Sequence, residues 1–261
     1  MPTTPTETAA GFLQFDVVAG DLDANLRTVK SGLAELAAST DQQPTLMVLP
    51  ELWTSGFDYE RLPDIAGQTP AVLAELHELA AEYRITLAGS LPERAAGRYY
   101  NTLFVTGPEG QLGSYRKQRL FAPMAEDTFF SPGEGFIPID TAHGRLACLV
   151  CFDLRFPELT RAQTAKGATL LVIAAQWPMA RKAHWQTLVR ARAIENQMYV
   201  IAANRCGTTN DTEFAGHSLI VAPDGVILHE ARATDEWAVV SLDPELTATV
   251  RRRFSTVPAM P

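Results

Sequence analysis

Short runs rich in valine, isoleucine and leucine recur along the whole sequence, and no other feature limits the fold as tightly. They occupy 12–18, 45–49, 85–89, 102–106, 146–151, 169–175, 198–203, 218–222, 226–229 and 237–242. Several, such as TLLVIAA at 169–175, are apolar almost throughout, the pattern of strands covered on both faces. Helical periods lie between some of them. Residues 23–38 place Leu26, Val29, Leu33 and Leu36 three and four apart, on one apolar stripe. Segments 70–83 and 181–197 read similarly, and 157–166 opens on Pro157, a favoured first-turn residue. Gly107-Pro108-Glu109-Gly110 and Pro223-Asp224-Gly225 each separate two apolar runs and mark hairpins. Strands and helices alternating, with hairpins among them, predict an α/β class built on a large mixed sheet system. With no internal repeat, low-complexity block or Pro/Ser-rich linker, the chain reads as a single domain.

Composition narrows the function classes. A hydrophobic fraction of 46% and a charged fraction of 20% over 261 residues suit a soluble globular protein with a sizeable core. The net charge of −8 argues against a nucleic-acid surface, so Arg251-Arg252-Arg253 reads as a charged helix end. No stretch approaches the roughly 18 apolar residues of a membrane span. The opening MPTTPTETAA has neither the positive nor the apolar region of a secretory signal and reads as a loose polar tail. Three cysteines, an odd number, point to a reducing cytoplasm and not to a disulfide framework.

Two of those cysteines stand in ACLVCFDLRFPE, residues 147–158. On a strand, Cys148 and Cys151 point to opposite faces, and no second Cys/His pair accompanies them, so dithiol and metal readings lack a setting. Cys148 reads as core. Cys151 is followed by an Asp- and Arg-bearing turn and a Pro-initiated helix, which puts its thiol at the carboxyl edge of a sheet, where α/β folds bind ligands. The turn can also aim the Phe152 N–H at whatever the sulfur attacks, giving half of an oxyanion hole.

A thiol nucleophile needs a base. In LPELWTSGF, residues 49–57, Glu51 ends a buried strand; partial burial raises a carboxyl toward neutrality and suits it to take and return protons. In YRKQRLF, residues 115–121, one cation turned inward would supply a fixed charge for an oxyanion, and the residues alone leave Arg116, Lys117 and Arg119 equivalent.

LPELWTSGF, YRKQRLF and ACLVCFDLRFPE, in that order, resemble the three signatures of the nitrilase superfamily, the carbon–nitrogen hydrolases. The resemblance assigns a Glu–Lys–Cys triad to Glu51, Lys117 and Cys151. Met124-Ala125-Glu126, ahead of Ser131-Pro132-Gly133-Glu134, resembles the loop that carries a supporting second glutamate, here Glu126. Gln176-Trp177-Pro178 and 190–196 resemble later family blocks, so the likeness spans about 11–255, with tails at 1–10 and 256–261. It implies a four-layer α-β-β-α sandwich, homodimers, and neither metal nor organic cofactor.

TSGF and CFDLRFPE most resemble the amidase branch that contains omega-amidases, which hydrolyse the terminal amides of 2-oxoglutaramate and 2-oxosuccinamate. The chain departs from that branch at Arg119, where many relatives carry His, and at Gln176, where Asn is usual. The implied activity is release of ammonia from a small carboxylate-bearing amide through a thioester. Nitrilase and N-carbamoyl amide hydrolase chemistry would use the same triad; a Cys–His thiol peptidase and an inactive binding protein are the readings from other classes. Arg155 could bind a substrate carboxylate bidentately or pair with Asp153 or Glu158 to anchor the turn. Trp53, Phe57 and Trp177 are candidate walls of the pocket.

Overall fold

The computed structural model describes residues 8–39 and 43–257. The chain first lays down β1 (Thr8–Gln14), α1 (Leu22–Ser39), β2 (Leu46–Val48), α2 (Leu62–Tyr83), β3 (Thr86–Ala95), β4 (Arg98–Gly107) and β5 (Gly110–Arg116). A connection containing α3 (Glu126–Phe129) leads to β6 (Ile139–Thr141), β7 (Gly144–Val150), α4 (Pro157–Ala165), β8 (Leu170–Ala175), α5 (Lys182–Asn196) and β9 (Tyr199–Asn204). After a small hairpin, β10 (Thr208–Thr209) and β11 (Thr212–Glu213), come β12 (Leu219–Val221), β13 (Ile227–Glu230), β14 (Glu236–Leu242) and α6 (Leu246–Arg253).

Two six-stranded sheets result, ordered β14-β1-β2-β3-β4-β5 and β13-β12-β9-β8-β7-β6. Each is mixed: β1, β2 and β3 run parallel, as do β7, β8 and β9, and antiparallel partners flank both trios. The sheets pack face to face, β1, β2, β3 and β4 against β7, β8 and β9, while α2 covers the first sheet and α4 and α5 the second. This is the expected four-layer α-β-β-α sandwich.

Alternation along the strands explains the layering. Phe12, Val48, Ala88, Leu103 and Val105 enter the core between the sheets, while Leu13, Met47, Leu87 and Phe104 face Val29, Leu33 and Leu76 of α1 and α2. A strand covered on both faces needs no polar positions, hence the nearly unbroken apolar runs.

Several boundaries differ from expectation. β1 begins at Thr8, inside the stretch read as a tail, because Thr8–Gln14 pairs antiparallel with β14 from Thr8↔Leu242 onward; the remainder of that tail, 1–7, lies outside the described residues. Thr256, in the stretch read as the C-terminal tail, is held by its N–H to Gln197 Oε1 (3.0 Å), and 258–261 lie outside the described residues. α2 starts eight residues before the expected 70, carrying Pro70 inside it and beginning at a Pro in its first turn. β3 continues to Ala95 and turns into β4 through Ala96-Gly97, both left-handed at φ +49° and +75°, a two-residue hairpin without the usual Asn-Gly signal.

Candidate active site

Glu51, Lys117 and Cys151 follow strand ends, and Glu51, Glu126 and Cys151 each sit at or beside a left-handed residue. Glu51 follows β2 and is fully buried; the next residue, Leu52, is left-handed at φ +41° and donates its N–H to Ser90 Oγ at 2.8 Å. Lys117 follows β5, and its N–H bonds the Asn101 carbonyl (2.9 Å) on neighbouring β4, which keeps these two residues abreast. Glu126 opens α3 after Ala125 at φ +57°.

Cys151 itself sits at φ +44°, one residue beyond β7, and opens a tight turn over Cys151–Arg155 that runs into α4. A left-handed non-glycine residue costs of order 1–3 kcal/mol and is held there by its surroundings. The expected strand through 151 is therefore corrected: pairing stops at Val150, and the sharp turn, not strand alternation, separates Cys151 from Cys148. Cys148 is fully buried in the core, as expected.

The turns bring their side chains together. Lys117 Nζ donates to Glu51 Oε1 (2.7 Å) and to both Glu126 oxygens (2.8 and 2.7 Å). Asn101 Nδ2 bridges the same two carboxylates, at 2.8 Å to Glu51 Oε1 and 3.0 Å to Glu126 Oε1. The Phe121 N–H adds a bond to Glu126 Oε2 (2.7 Å), and the Gln176 N–H one to Glu51 Oε2 (3.1 Å). Cys151 is close enough for the Glu51 charge to act on its thiol. Burial of these charges is tolerable because the ammonium lies between the two carboxylates and every carboxylate oxygen has a donor.

The electrostatics follow from that packing. Burial pushes the Glu51 carboxyl up; the Lys117 charge pulls it back and Glu126 pushes it up again. Burial works against the Lys117 ammonium, yet Glu126 and Glu51 outweigh it and hold its pKa well above the ordinary value. Burial and then the Glu51 charge raise the Cys151 thiol, opposed by Lys117 and the Gln176 N–H. The sulfur thus rests protonated beside a carboxylate of raised basicity, the arrangement of a nucleophile with an adjacent general base.

Lys117 is the inward cation of its stretch. Arg116 forks onto Glu93 (2.6 and 2.8 Å) and stacks over Tyr100, while Arg119 lies 3.7 Å from Glu158 near the surface. Asp153, whose role was not legible in sequence, locks this stretch to the cysteine turn: it accepts from Tyr115 Oη (2.8 Å) and from the N–H groups of Val150 (3.1 Å), Arg119 (2.8 Å) and Gln118 (3.2 Å). Burial lifts it to about 6, against the pull of Lys117 and these donors.

Above the cluster is a narrow pocket with a cavity volume of about 20 Å³, with Cys151 and Lys117 in its lining. Its walls include Phe57, Phe152 and Trp177, of which Phe57 and Trp177 were anticipated. Trp53 is a correction: it is fully buried in the layer between the first sheet and its helices, with Leu49 and Phe15, because the turn after Glu51 sends it back under the sheet. Arg155 lines the pocket with Cζ 4.6 Å over the Trp177 ring and Nη2 3.3 Å from His184 Nδ1. Its expected alternative, an ion pair with Asp153 or Glu158, is not formed; Asp153 is filled by other donors and Glu158 faces Arg119. A second guanidinium, Arg181, lines the same pocket, and together with burial it depresses the pKa of Arg155. Asn101 and Arg181 went unseen in sequence. An asparagine within a run destined for a buried strand, NTLFV, was the available signal for the first; nothing local marked the second.

Comparison with known proteins agrees with this geometry. The model of the family described as carbon-nitrogen hydrolase matches residues 9–252. The chain is 37% identical over 244 residues to a 2-oxoglutaramate amidase of Bacillus subtilis, covering 92% of each protein. To the human (Homo sapiens) Omega-amidase NIT2 it is 36% identical, over 78% of each. Among solved structures, a mutant amidase from Nesterenkonia sp. AN1 shows covalent addition of the acetamide moiety of fluoroacetamide at its active-site cysteine; it superposes with a TM-score of 0.83 at 27% identity, over 97% of this chain and 98% of that one.

Proposed function

The chain belongs to the carbon–nitrogen hydrolase family, and from that premise we propose that it is a cysteine-dependent amidase releasing ammonia from a small, carboxylate-bearing amide. The observation that carries this reading is the buried cluster in which Lys117 Nζ lies 2.7 Å from Glu51 Oε1, beside Cys151 in the lining of one pocket. The base beside the sulfur is a carboxylate, whereas a Cys–His peptidase would place an imidazole there.

Glu51 takes the thiol proton as sulfur attacks the amide carbonyl carbon. Lys117 Nζ and the Phe152 N–H receive the oxyanion, and one such donor is worth roughly 3–4 kcal/mol in the transition state. As the C–N bond breaks, Glu51 returns the proton to nitrogen and ammonia leaves a thioester on Cys151. Water then gives its proton to Glu51 and attacks the thioester; the acid departs and sulfur regains the proton. Glu126 and Asn101 keep the ammonium and the base in place throughout. Lysine suits the post because a compact ammonium reaches two carboxylates and an oxyanion from one point, where a guanidinium needs a fork-shaped partner.

The substrate class is supported by charge as well as by the relatives. Lys117 is already neutralised by its carboxylates, so the unpaired charges of the pocket are Arg155 and Arg181. Two cations brought together without an anion favour a substrate that supplies one, as an omega-amide does. The reducing cytoplasm suits a free catalytic thiol, all three cysteines being free, and a homodimer is the assembly this reading carries with it. No helix among the described residues is long and apolar enough to cross a membrane.

An ammonia-release screen over omega-amides of 2-oxo acids, N-carbamoyl amines, simple aliphatic amides and nitriles tests the reading. Highest kcat/KM on the omega-amides is expected. Turnover of nitriles or carbamoyl compounds above every amide would overturn it.

A further inference from the structure

The base and the nucleophile stand on different sheets. Glu51 leaves β2 of the first sheet, and Cys151 leaves β7 of the second. Their contact therefore depends on whatever ties the two sheets together at this edge. Gln176, just after β8, supplies that tie: its N–H bonds Glu51 Oε2 (3.1 Å), its side-chain Nε2 bonds the Glu51 carbonyl (2.6 Å), and its N–H also stabilises the Cys151 thiolate.

The orientation of the Gln176 amide is set from behind. Arg205, next to it after β9, donates Nη1 to Gln176 Oε1 at 2.9 Å. A guanidinium has donors only, so the amide oxygen must face Arg205 and the NH2 must face Glu51. Arg205 is itself fixed in its setting. It is buried, its Nη2 bonds Asp16 Oδ1 (3.0 Å) from the chain leaving β1 and also Thr209 Oγ1, and its Cζ lies 4.3 Å from the centroid of the Phe214 ring. The arginine thus reaches from the second sheet to the first, and through Gln176 back to the catalytic carboxylate.

We propose that Arg205 is a positioning residue for the reaction, holding Gln176 so that the base on one sheet meets the nucleophile on the other. It touches neither substrate nor reacting atoms. This rests on Cys151 and Glu51 being nucleophile and base. Loss of Arg205 frees the Gln176 amide to rotate, and the Gln176 N–H bond that favours both the Glu51 carboxylate and the Cys151 thiolate loosens. Kcat should fall by roughly 10–100-fold, the cost of removing an outer partner that orients a reacting group. KM should stay within about twofold, because the pocket walls do not include Arg205.

The test is the pH profile of kcat/KM, together with the rate at which iodoacetamide alkylates Cys151, located by mass spectrometry, in wild type, Arg205→Met and Arg205→Lys. The lysine variant keeps a cation beside Asp16 and guards against a methionine variant that fails to fold. Both folded variants should show the acid limb of the profile and of the alkylation rate moved to higher pH. An unmoved profile in a folded variant, with turnover lowered only in proportion to its folded fraction, would overturn the proposal. Glu51→Gln separates the two levels. It should remove the acid limb set by the carboxylate and leave only the rise of alkylation as the thiol itself ionises; if the acid limb persists, the base assignment and this inference fall together, whereas its removal with no shift in the Arg205 variants removes the inference alone.

Discussion

Lys117 Nζ lies 2.7 Å from Glu51 Oε1, with both side chains at most 1% exposed. Removing one member of a buried charge set leaves the others uncompensated, which costs about 3–5 kcal/mol. Lys117→Met should therefore be destabilised by about that amount in urea denaturation at neutral pH, and should lose at least about 10²-fold in kcat. The stability deficit should shrink as pH falls, because Glu51, its carboxyl raised by burial, then takes up a proton. A variant as stable as wild type at pH 7 would contradict the charge balance described for the cluster.

The two neighbouring cysteines should separate chemically. Cys151 lines the pocket, whereas Cys148 is sealed in the core and burial pushes its thiol far above the ordinary range. Cys151→Ala is expected to abolish ammonia release with the circular dichroism spectrum retained. Cys148→Ala should keep the activity at a modest cost in stability. In the folded protein iodoacetamide should modify Cys151 and reach Cys148 only with denaturant.

For the paired arginines, the comparison is between anionic and neutral amides. Arg155→Ala and Arg181→Ala should each raise KM for a carboxylate-bearing amide by about 10-fold or more, the worth of a charge-assisted hydrogen bond. KM for an uncharged aliphatic amide of equal length should move little. Equal losses on both substrates would assign these residues to the shape of the pocket and not to recognition of charge.

Asp153 gives a pH prediction whose sign is set by burial. Its carboxyl is raised from 3.8 to about 6, so between those values the native state holds more protons than the unfolded chain. Its contribution to stability is then greatest at pH 4 and declines as pH rises to 6, by about 3 kcal/mol in all. Asp153→Asn has no such titration. The stability of wild type relative to this variant should therefore improve steadily as pH is lowered from 7 to 4, a trend that guanidinium melts at fixed pH values would display. A constant difference across that range would show that Asp153 is not raised.

The helices and strands were legible because each is a local pattern. A strand with both faces covered is apolar at nearly every position, and a surface helix repeats its stripe every turn, so 169–175 and 23–38 announced β8 and α1. The thiol, the base and the cation were legible for a different reason: each sits in a stretch whose residue order resembles a family signature. Trp53 was misplaced because an aromatic beside a catalytic turn looks the same in sequence whether the backbone sends it toward the pocket or beneath the sheet.

By itself, then, the sequence determined which segments form strands and helices, and which residues match the signatures that the family resemblance rests on. Only the tertiary structure decided that Asn101 bridges Glu51 and Glu126, that Asp153 ties the lysine stretch to the cysteine turn, and that Arg181 joins Arg155. The physical reason is distance along the chain. Glu51, Lys117, Cys151 and Gln176 belong to four turns at neighbouring strand ends, and their contacts exist only once two separately patterned sheets stack at one register.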